Sequence, residues 1–335
     1  STYYIYDDGV GGTGGNCALI GIWDGNTRTC TLTQNVNDSI YLYTSGITLD
    51  GAGYTVTLPT WGGVFVYGDS HIVKNLVVQG TTFCDPYYGC YGTGYGFYLN
   101  ASNSVVSNNA VYETYYGMIM EGGINSTIQN NTLAGVQTGA HIYYADNNAI
   151  LNNFFYSATT YFPWAGFYLF SADSNTIRGN TFSGFPNGVI LEGYSCSWDY
   201  WYLGVNYVGT CDYSSVNNMI YRNKFLNITN PIYRPNWGYT STWDFRPSED
   251  YYGTASYDTT NPGSMFNLAA PNGGNYYSQY DEASEGCEDL DDGFCDSPFV
   301  GGGGATDYLP WVSFYAVEVP QDTIAPTASP TQAPP

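Results

Sequence analysis

Short apolar stretches alternate with turns containing Asn or Gly along the middle of the chain, at a nearly constant spacing. Five segments share a pattern in which an asparagine follows an apolar residue by three positions; they are residues 104–111, 126–133, 148–155, 175–182 and 218–225. The first two steps, from Asn109 to Asn131 and from Asn131 to Asn153, are both 22 residues. A fixed period of this kind is typical of a solenoid, in which each coil buries its inner face only against neighbouring coils.

The aligned apolar positions predict an inward-facing row of an all-β solenoid, with successive coils about 4.8 Å apart. This row consists of Val73, Val106, Ile128, Ile150, Ile177 and Ile220. The recurring asparagines form a second row; they are Asn109, Asn131, Asn153, Asn180 and Asn223. Asparagine tolerates the left-handed αL conformation at a corner and can pass amide hydrogen bonds from coil to coil. We therefore interpret this row as structural, and not as a line of ligand-binding amides.

Changes in the period divide the chain into four parts. We expect an N-terminal segment and cap at residues 1–45, the β-helix at 46–235, an irregular C-terminal cap with an acidic loop at 236–312, and an extended Pro/Thr-rich tail at 313–335. Three insertions interrupt the solenoid, at residues 84–90, 158–164 and 194–213. Insertions of this kind usually gather on one face and carry recognition.

The charge of the chain limits its partners. Charged residues make up 11% of the 335 residues, and the formal net charge is −22. Nucleic acids and anionic membranes require clustered Lys and Arg, so we expect neither as a partner, whereas cations and neutral glycans are compatible. No apolar run approaches the roughly 20 residues that span a bilayer. Because the sequence begins at Ser1 without an apolar leader, we interpret it as an exported chain whose signal peptide has been removed.

The eight cysteines fall into four pairs that are close in sequence. We predict four loop-closing disulfides: Cys17–Cys30, Cys84–Cys90, Cys196–Cys211 and Cys287–Cys295. Metal clusters are the alternative, but the spacings are not those of zinc sites and the chain has only two histidines. Disulfides imply an oxidising, extracellular compartment. Five sequons permit N-glycosylation there; they begin at Asn37, Asn100, Asn125, Asn130 and Asn227.

Two parts of the sequence resemble known proteins. Residues 30–40 (CTLTQNVNDSI) and 47–56 (ITLDGAGYTV) resemble the opening of right-handed parallel β-helix proteins of the pectate-lyase-like superfamily, in the branch named for periplasmic copper-binding and carbohydrate-binding β-helices. Residues 274–280, 292–299 and 307–310 resemble the closing module of archaeal surface proteins in this group. The resemblance implies a right-handed parallel β-helix and export. It does not imply an activity, because this fold hosts lyases, hydrolases, adhesins and scaffolds.

The acidic loop near the C terminus is a candidate calcium site. Several carboxylates around a Gly turn could converge on one Ca²⁺ ion, which would relieve their mutual repulsion. They are Glu288, Asp289, Asp291, Asp292 and Asp296. The resemblance implies a further Asp at the position of Leu290, so one ligand is missing here. The alternative is a solvated acidic loop that the Cys287–Cys295 disulfide holds without metal.

A pair of carboxylates is a candidate catalytic site. Asp146 and Asp173 occupy equivalent positions in successive coils, with backbones about 5 Å apart, close to the separation used by retaining glycosidases. Both also stand in turns, where Asp commonly forms the turn itself, and we favour that interpretation. Copper delivery would need clustered His or Met ligands. His71, His141 and the four methionines form no such cluster in the sequence, so we do not extend the copper function of the branch to this chain.

Aromatic residues crowd two of the disulfide-bounded insertions. They are Tyr87, Tyr88, Trp198, Tyr200, Trp201 and Tyr202. Their flat faces and polar edges could contact sugar rings or another protein chain, or they could pack back onto the wall of the solenoid.

The function that these features favour is structural. The chain has few charges, 36 tyrosines and no visible catalytic set, and the end coils of a β-helix can accept another strand. We expect a repeating subunit of an extracellular filament, sheath or surface layer that contacts itself through its ends or tail. The alternatives are a secreted polysaccharide-binding or polysaccharide-cleaving enzyme, and an adhesive module of a larger surface protein.

Overall fold

The wall of the molecule consists of three long β-sheets. The computed structural model describes residues 2–87, 89–157, 163–192, 195–198, 209–212, 215, 217–233, 239–243, 253–257, 264–289, 291–302 and 305–313. Sheets A and B have nine strands each, and sheet C has eight. In the central coils the chain runs from sheet A to sheet B to sheet C and then returns to sheet A one coil later. The predicted parallel β-helix is therefore confirmed.

The strands are short and follow the repeat. Sheet A consists of Tyr3–Ile5, Ile40–Leu42, Gly63–Asp69, Tyr95–Ser102, Tyr116–Glu121, Thr138–Tyr143, Ala165–Phe170, Asn187–Glu192 and Asn230–Tyr233. Sheet B consists of Gly21–Asp24, Thr29–Leu32, Thr48–Asp50, Ile72–Lys74, Val105–Ser107, Thr127–Gln129, Ala149–Leu151, Thr176–Arg178 and Met219–Tyr221. Sheet C consists of Thr55–Thr57, Val77–Gln79, Ala110–Tyr112, Thr132–Ala134, Phe154–Tyr156, Thr181–Ser183, Lys224–Leu226 and Tyr276–Tyr277.

The remaining elements cover the ends of the solenoid or project from its three sheets. One α-helix, Cys17–Ile20, lies at the N-terminal end, and a 3₁₀ helix, Ala283–Glu285, lies in the C-terminal segment. Strand Gly21–Asp24 is antiparallel to its neighbour Thr29–Leu32. Among the described residues, four antiparallel strand pairs stand apart from the three sheets: Thr81–Asp85 with Gly89–Thr93, Ser195–Trp198 with Gly209–Asp212, Tyr239–Trp243 with Gly253–Tyr257, and Phe299–Val300 with Thr306–Asp307.

Two apolar rows fill the interior. The predicted row of sheet B is confirmed, because Val73, Val106, Ile128, Ile150, Ile177 and Ile220 pair in register and are at most 1% exposed. The row of sheet C grows in size along the chain: Val56, Val78, Val111, Leu133, Phe155, Phe182, Phe225 and Tyr277. Its last four rings stack with centroid separations of 5.3, 5.1 and 5.4 Å.

Glycines of sheet A make room for the large side chains of sheet C. A Cβ atom on Gly139 would lie 2.8 Å from the Phe155 ring, and one on Gly166 would lie 2.5 Å from the Phe182 ring. Real Cβ contacts are not this short, so only glycine fits where a ring crosses the narrow interior. The regularly spaced glycines of the sequence are therefore packing positions.

A continuous ladder of amide side chains follows sheet B on the side of sheet C. Asn153 shows the pattern: its Oδ1 accepts hydrogen bonds from the backbone N–H and the Nδ2 of Asn131, both at 2.9 Å. Its own Nδ2 donates to the carbonyl of Ile128 at 2.9 Å and to Oδ1 of Asn180 at 3.0 Å. The side chain is buried, and buried polar groups are stable only when they are hydrogen-bonded in this way.

The αL conformation that we predicted for these asparagines was wrong by one residue. The positive φ belongs to the residue before each of them: Asn108 (56°), Asn130 (56°), Asn152 (54°), Gly179 (69°) and Arg222 (56°). This residue turns the chain at the corner, and the turn directs the next side chain into the interior. The ladder asparagines therefore serve as hydrogen-bonding groups and not as turn formers.

A second ladder flanks sheet B on the side of sheet A. It consists of Ser104, Ser126, Asn148, Asn175 and Asn218, which are the first residues of the repeated segments. Each side-chain oxygen accepts a hydrogen bond from the backbone N–H of the corresponding residue one coil earlier. The N–H of Ser126 donates to Asn148 at 2.8 Å, that of Asn148 to Asn175 at 2.9 Å, and that of Asn175 to Asn218 at 2.8 Å. This ladder was not predicted from the sequence, because its residue type changes from serine to asparagine along the chain.

The β-helix extends beyond the predicted limits of 46–235 at both ends. Tyr3–Ile5 pairs with Ile40–Leu42 in sheet A, so the N-terminal segment supplies the first strands. Tyr276–Tyr277 pairs with Lys224–Leu226 in sheet C, and Met265 pairs with Met219 beside sheet B. Residues of the predicted cap thus continue the solenoid. The period does not reveal this, because residues 234–263 between the two parts do not carry the repeat pattern.

Replacing a rung of the first ladder tests its contribution to stability. Asn153→Ala removes four hydrogen bonds and leaves buried groups of Asn131 and Asn180 with fewer partners, so we expect the free energy of unfolding to fall by about 3 kcal/mol. Denaturant unfolding measures this change. The matched control is Asn100→Ala, an exposed asparagine of sheet A, which should change stability by less than about 0.5 kcal/mol. Equal losses in the two variants would contradict a stabilising ladder.

Candidate functional site: the outer face and the two ends

The outer face of sheet A carries two rows of mainly aromatic side chains. The first row is Tyr4, Tyr41, Phe65, Tyr98, Ile119, His141, Tyr168 and Ile190. The second row includes Tyr67, Asn100, Glu121, Tyr143, Phe170 and Glu192. These rows were not predicted from the sequence, because the repeats were aligned on the residues that form sheet B. The signal was present two residues after each packing glycine, as in Gly96-Phe-Tyr98 and Gly166-Phe-Tyr168.

The rings near the N-terminal end stack along the axis of the solenoid. Tyr41 and Phe65 are 4.3 Å apart with an interplanar angle of 13°, and Tyr43 and Tyr67 are 5.5 Å apart with an angle of 9°. Ring faces therefore cover one another, and ring edges with their hydroxyl groups point outward. A ligand at this surface would meet hydrogen-bonding edges and few free faces.

Two carboxylates of the second row accept hydrogen bonds from tyrosines. The hydroxyl of Tyr98 donates to Glu121, and that of Tyr168 donates to Glu192. Burial, together with these carboxylates, raises the pKa of both tyrosines, so both remain protonated donors. Three strand steps separate Glu121 from Glu192, or roughly 14 Å. That is beyond the roughly 6.5–9.5 Å of inverting glycosidases, so they do not form such a pair.

His141 lies within the aromatic rows as an uncharged ring. It is 4% exposed, and its ring centroid is 3.7 Å from that of Tyr143 and 4.5 Å from that of Tyr168. Burial lowers the pKa of His141 to about 3. Among the described residues neither ring nitrogen has a hydrogen-bond partner. The other histidine, His71, is buried at the start of the second ladder, where its Nε2 lies 2.9 Å from the carbonyl oxygen of Tyr67.

The predicted carboxylate pair lies in turns. Oδ1 of Asp146 accepts the backbone N–H of Asp173 at 2.8 Å, and the N–H of Asn147 donates to the carbonyl of Asp173 at 3.0 Å. The carboxylate of Asp146 is thus directed at the backbone of the next coil. This geometry favours the structural interpretation of Asp146 over a role as a glycosidase carboxylate.

Two carboxylates of the acidic loop accept hydrogen bonds from backbone N–H groups of the same loop. Oδ1 of Asp289 accepts the N–H groups of Asp292 at 3.1 Å and Gly293 at 3.2 Å, and Oδ1 of Asp292 accepts the N–H of Phe294 at 2.9 Å. Burial and the nearby carboxylates of Asp292, Asp289 and Glu288 raise the pKa of Asp296. Within the described part of the chain, no group of three or more His, Cys, Asp or Glu residues could hold a metal ion. Calcium binding by this loop stays a prediction.

Calcium binding has a direct thermal test. We expect a chelator to lower the melting temperature, because removal of the ion would leave the carboxylates of residues 288–296 to repel one another. Asp292→Asn keeps an oxygen for the N–H of Phe294 but removes one charge, so it should weaken the dependence on calcium. Differential scanning calorimetry with calcium and with chelator measures both effects. Identical melting curves for the native protein under the two conditions would contradict a calcium site.

Three of the four predicted disulfides are present. They are Cys17–Cys30, Cys84–Cys90 and Cys287–Cys295, with sulfur–sulfur distances of 2.02, 2.03 and 2.00 Å. Cys196 and Cys211 face each other across an antiparallel hairpin, and their side chains lie outside the described part of the structure. The first disulfide joins the N-terminal helix to strand Thr29–Leu32, so it fixes the cover of the first coil.

Most of the predicted contact residues of the insertions lie outside the described part. Tyr87 is described and is 92% exposed near the tip of the hairpin that Cys84–Cys90 closes. Tyr88, Tyr200, Trp201 and Tyr202 are outside the described residues, as is the side chain of Trp198. The sequon asparagines are all exposed, at Asn37, Asn100, Asn125, Asn130 and Asn227. Glycosylation of these positions stays a prediction.

The most exposed non-aromatic hydrophobic side chains of the described residues lie in the two end segments. At the N-terminal end they are Val10, Leu19 and Ile22, with exposed fractions of 111%, 64% and 65%. At the C-terminal end they are Met265 and Val300, with exposed fractions of 49% and 63%. On the side wall, Ile72 and Ile124 are 40% and 41% exposed. Concentrated exposed hydrophobic groups mark contact surfaces.

These features define a parallel β-helix with ladders of polar side chains in its core and rows of mainly aromatic side chains on the outer face of sheet A. The chain belongs to the family described as periplasmic copper-binding protein (NosD), whose model matches residues 27–282. A search of curated proteins found no match. Within the described residues, no helix combines the length and apolar character needed to cross a membrane.

Solved structures match this chain at low identity and low TM-score. A complex of XylC with xylose has a TM-score of 0.40 and 11% identity, and the match covers 73% of this chain and 43% of that chain. The pectate lyase Pel9A has a TM-score of 0.30 and 14% identity, with coverage of 70% and 77%. The cedar pollen allergen Jun a 1 has a TM-score of 0.27 and 16% identity, with coverage of 77% and 82%. These values carry no argument about activity.

The described histidines and cysteines do not fit the copper site that the family name implies. Copper sites use clustered imidazole, thiolate or thioether ligands. Here His71 and His141 are buried in separate environments, and Met118 and Met120 are buried in the core. Cys17, Cys30, Cys84, Cys90, Cys287 and Cys295 are occupied in disulfides. Within the described part of the chain, no group of three or more His, Cys, Asp or Glu residues could hold a copper ion.

Proposed function

We propose that the protein is a structural extracellular protein, a repeating subunit of a surface filament, sheath or surface layer in which β-helices join end to end. The observation that carries this proposal is that the most exposed non-aromatic hydrophobic side chains of the described residues, among them Ile22 and Met265, lie in the two end segments. A location outside the cytoplasm is supported by the disulfides and by the family name, which is that of a periplasmic protein.

Both ends of sheet B present an exposed hydrophobic residue. Ile22 lies on Gly21–Asp24, the terminal strand of sheet B at the N-terminal end. Met265 pairs beside Met219–Tyr221, the terminal strand at the C-terminal end. Contact between the two different ends of neighbouring copies is heterologous, and it repeats without closing when the copies share one axis. A filament is the expected product.

The N-terminal edge of sheet A is closed, which limits how copies can join. The backbone N–H of Tyr4 donates to Oδ1 of Asn16 at 2.9 Å, and its carbonyl accepts the N–H of Asn16 at 2.7 Å. Asn16 therefore occupies the position that an incoming strand would take, which is a common protection of sheet edges. The unpaired edge that the sequence analysis expected is blocked here, so the proposed joint lies at the end of sheet B.

Charge substitutions at the ends test the proposed joint. Ile22→Lys and Met265→Lys should each shift the protein from polymers to monomers, because a lysine in an apolar contact must lose its hydration. Sedimentation velocity at equal protein concentration measures the distribution of species. The matched control is Ile72→Lys on the side wall of sheet B, which should polymerise as the native protein does. A native protein that stays monomeric in native salt and calcium would contradict the proposal.

Glycan binding is the second candidate function, and the tyrosine rows of sheet A favour it. Tyr4, Tyr41, Tyr43 and Tyr67 present hydroxyl edges at one surface, and glycan hydroxyls are suitable partners for such donors and acceptors. A row with one ring per coil suits an extended chain that lies along the axis. This function would not exclude assembly, because the rows and the ends are different surfaces.

Removal of hydroxyl groups tests the glycan surface. The double variant Tyr43→Phe and Tyr67→Phe keeps the stacked rings but removes two hydroxyls, so we expect at least about a tenfold loss of glycan affinity, given about 1 kcal/mol per hydrogen bond. Isothermal titration calorimetry against a panel of polyuronides and neutral glycans measures it. Tyr54→Phe, an exposed tyrosine away from sheet A, is the control. Absence of binding to the whole panel would eliminate this candidate.

A further inference from the structure

The first ladder ends in a buried carboxylate. The backbone N–H and Nδ2 of Asn223 donate to Oδ1 of Asn275 at 3.1 and 3.0 Å, so Asn275 is the next rung. The N–H of Asn275 then donates to Oδ2 of Asp307 at 2.7 Å, and its Nδ2 lies 3.3 Å from the same oxygen. Asp307 thus takes the place of a further asparagine, and it is 0% exposed.

The polarity of the ladder explains why an acceptor stands at this end. Each rung donates its backbone N–H and one Nδ2 hydrogen to the next rung toward the C-terminal end, as Asn131 does to Asn153, so the last rung presents donors that need an acceptor. Asp307 receives two more hydrogen bonds, from the Tyr277 hydroxyl to Oδ2 at 3.0 Å and from the Leu309 N–H to Oδ1 at 3.0 Å. The carboxyl group therefore joins the last rung to strand Tyr276–Tyr277 and to the segment around Leu309.

The surroundings of Asp307 hold no compensating charge among the described residues that contact it. Asn275 and the backbone of Leu309 are uncharged, and Phe299 is the partner of Asp307 across its hairpin. The titratable neighbour is Tyr277, which is completely buried; burial and the negative charge of Asp307 raise its pKa well above the ordinary value. Tyr277 therefore stays a neutral donor throughout the accessible range. An ionised Asp307 would be a buried anion without a cation.

We propose that Asp307 is a pH-sensitive lock on the closing segment of the β-helix, residues 264–313. The protonated carboxyl is uncharged and keeps the last coil closed, because its oxygens still accept from the backbone N–H groups of Asn275 and Leu309. The ionised carboxyl is disfavoured in the closed segment, so ionisation opens it locally. Arg222, which donates to the carbonyls of Asn272 and Pro271 at 2.9 Å in each case, holds the start of the segment at any pH.

The direction of the pH effect follows from the pKa. Burial raises the pKa of Asp307 to about 7, although the hydrogen bonds from Asn275, Leu309 and Tyr277 oppose this change. The closed state therefore binds a proton at pH values where the opened state, with a pKa near 3.8, has released it. Its contribution to the stability of the closed segment is fully present below about pH 4 and is lost as pH rises toward 7.

Hydrogen exchange of the full chain tests this lock. Amides of residues 274–277 and 305–311 should open at least about tenfold more often at pH 8 than at pH 5.5, after correction for intrinsic exchange, since each pKa unit corresponds to a factor of ten. Asp307→Asn should remove this difference. Glu282→Gln, which removes the same charge from an exposed position of the same segment, should retain it. The same pH dependence in the native protein and in Asp307→Asn would overturn the proposal.

A second variant keeps the test decisive if Asp307→Asn does not fold. Tyr277→Phe removes a donor that favours the ionised carboxyl, so it should raise the pKa of Asp307 and move the midpoint of opening to higher pH. The midpoint is read from the same exchange measurement over pH 5 to 9. An unshifted midpoint would show that Asp307 does not control the opening.

Discussion

Hydrogen bonding between inward polar side chains of successive coils is the interaction on which the rest of this structure depends. The chain turns sharply at both sides of sheet B, and each turn leaves backbone N–H groups in the interior, away from water. The two ladders satisfy these groups, as the contacts from Asn131 to Asn153 and from Ser126 to Asn148 show. Without them, the corners would contain buried unsatisfied donors at every coil. The ladders therefore fix coil spacing, and coil spacing fixes the strand register.

The rigid interior determines what the outer surface can present. Glycines such as Gly166 bring sheet A close to the phenylalanines of sheet C, and the same strands display Tyr98, Tyr168 and their neighbours outward in register. The rows of outward side chains and the surfaces at the two ends thus follow from the repetition of one coil.

Much of the fold could be predicted from the sequence, because the spacing of the repeated pattern reflects the length and geometry of each coil. The inward row from Val73 to Ile220 was predicted residue by residue, and so was the structural character of the asparagine row. Features that break the period could not be predicted in this way. Asn275 and Asp307 continue the first ladder, but they are distant in sequence from the rungs before them. Asn275 follows Asn223, its neighbour in space, by 52 residues. The cap by Asn16 depends on a three-dimensional contact with Tyr4 that no spacing records.

The central claim is that this β-helix is a rod that repeats through contact between its two ends. Electron microscopy of the native protein in its native salt and calcium tests it most directly, at a resolution that shows the orientation of each subunit. The account predicts filaments in which the solenoid axes run along the filament and the N-terminal end of one copy meets the C-terminal end of the next. Single rods, or rods associated side by side, would contradict it.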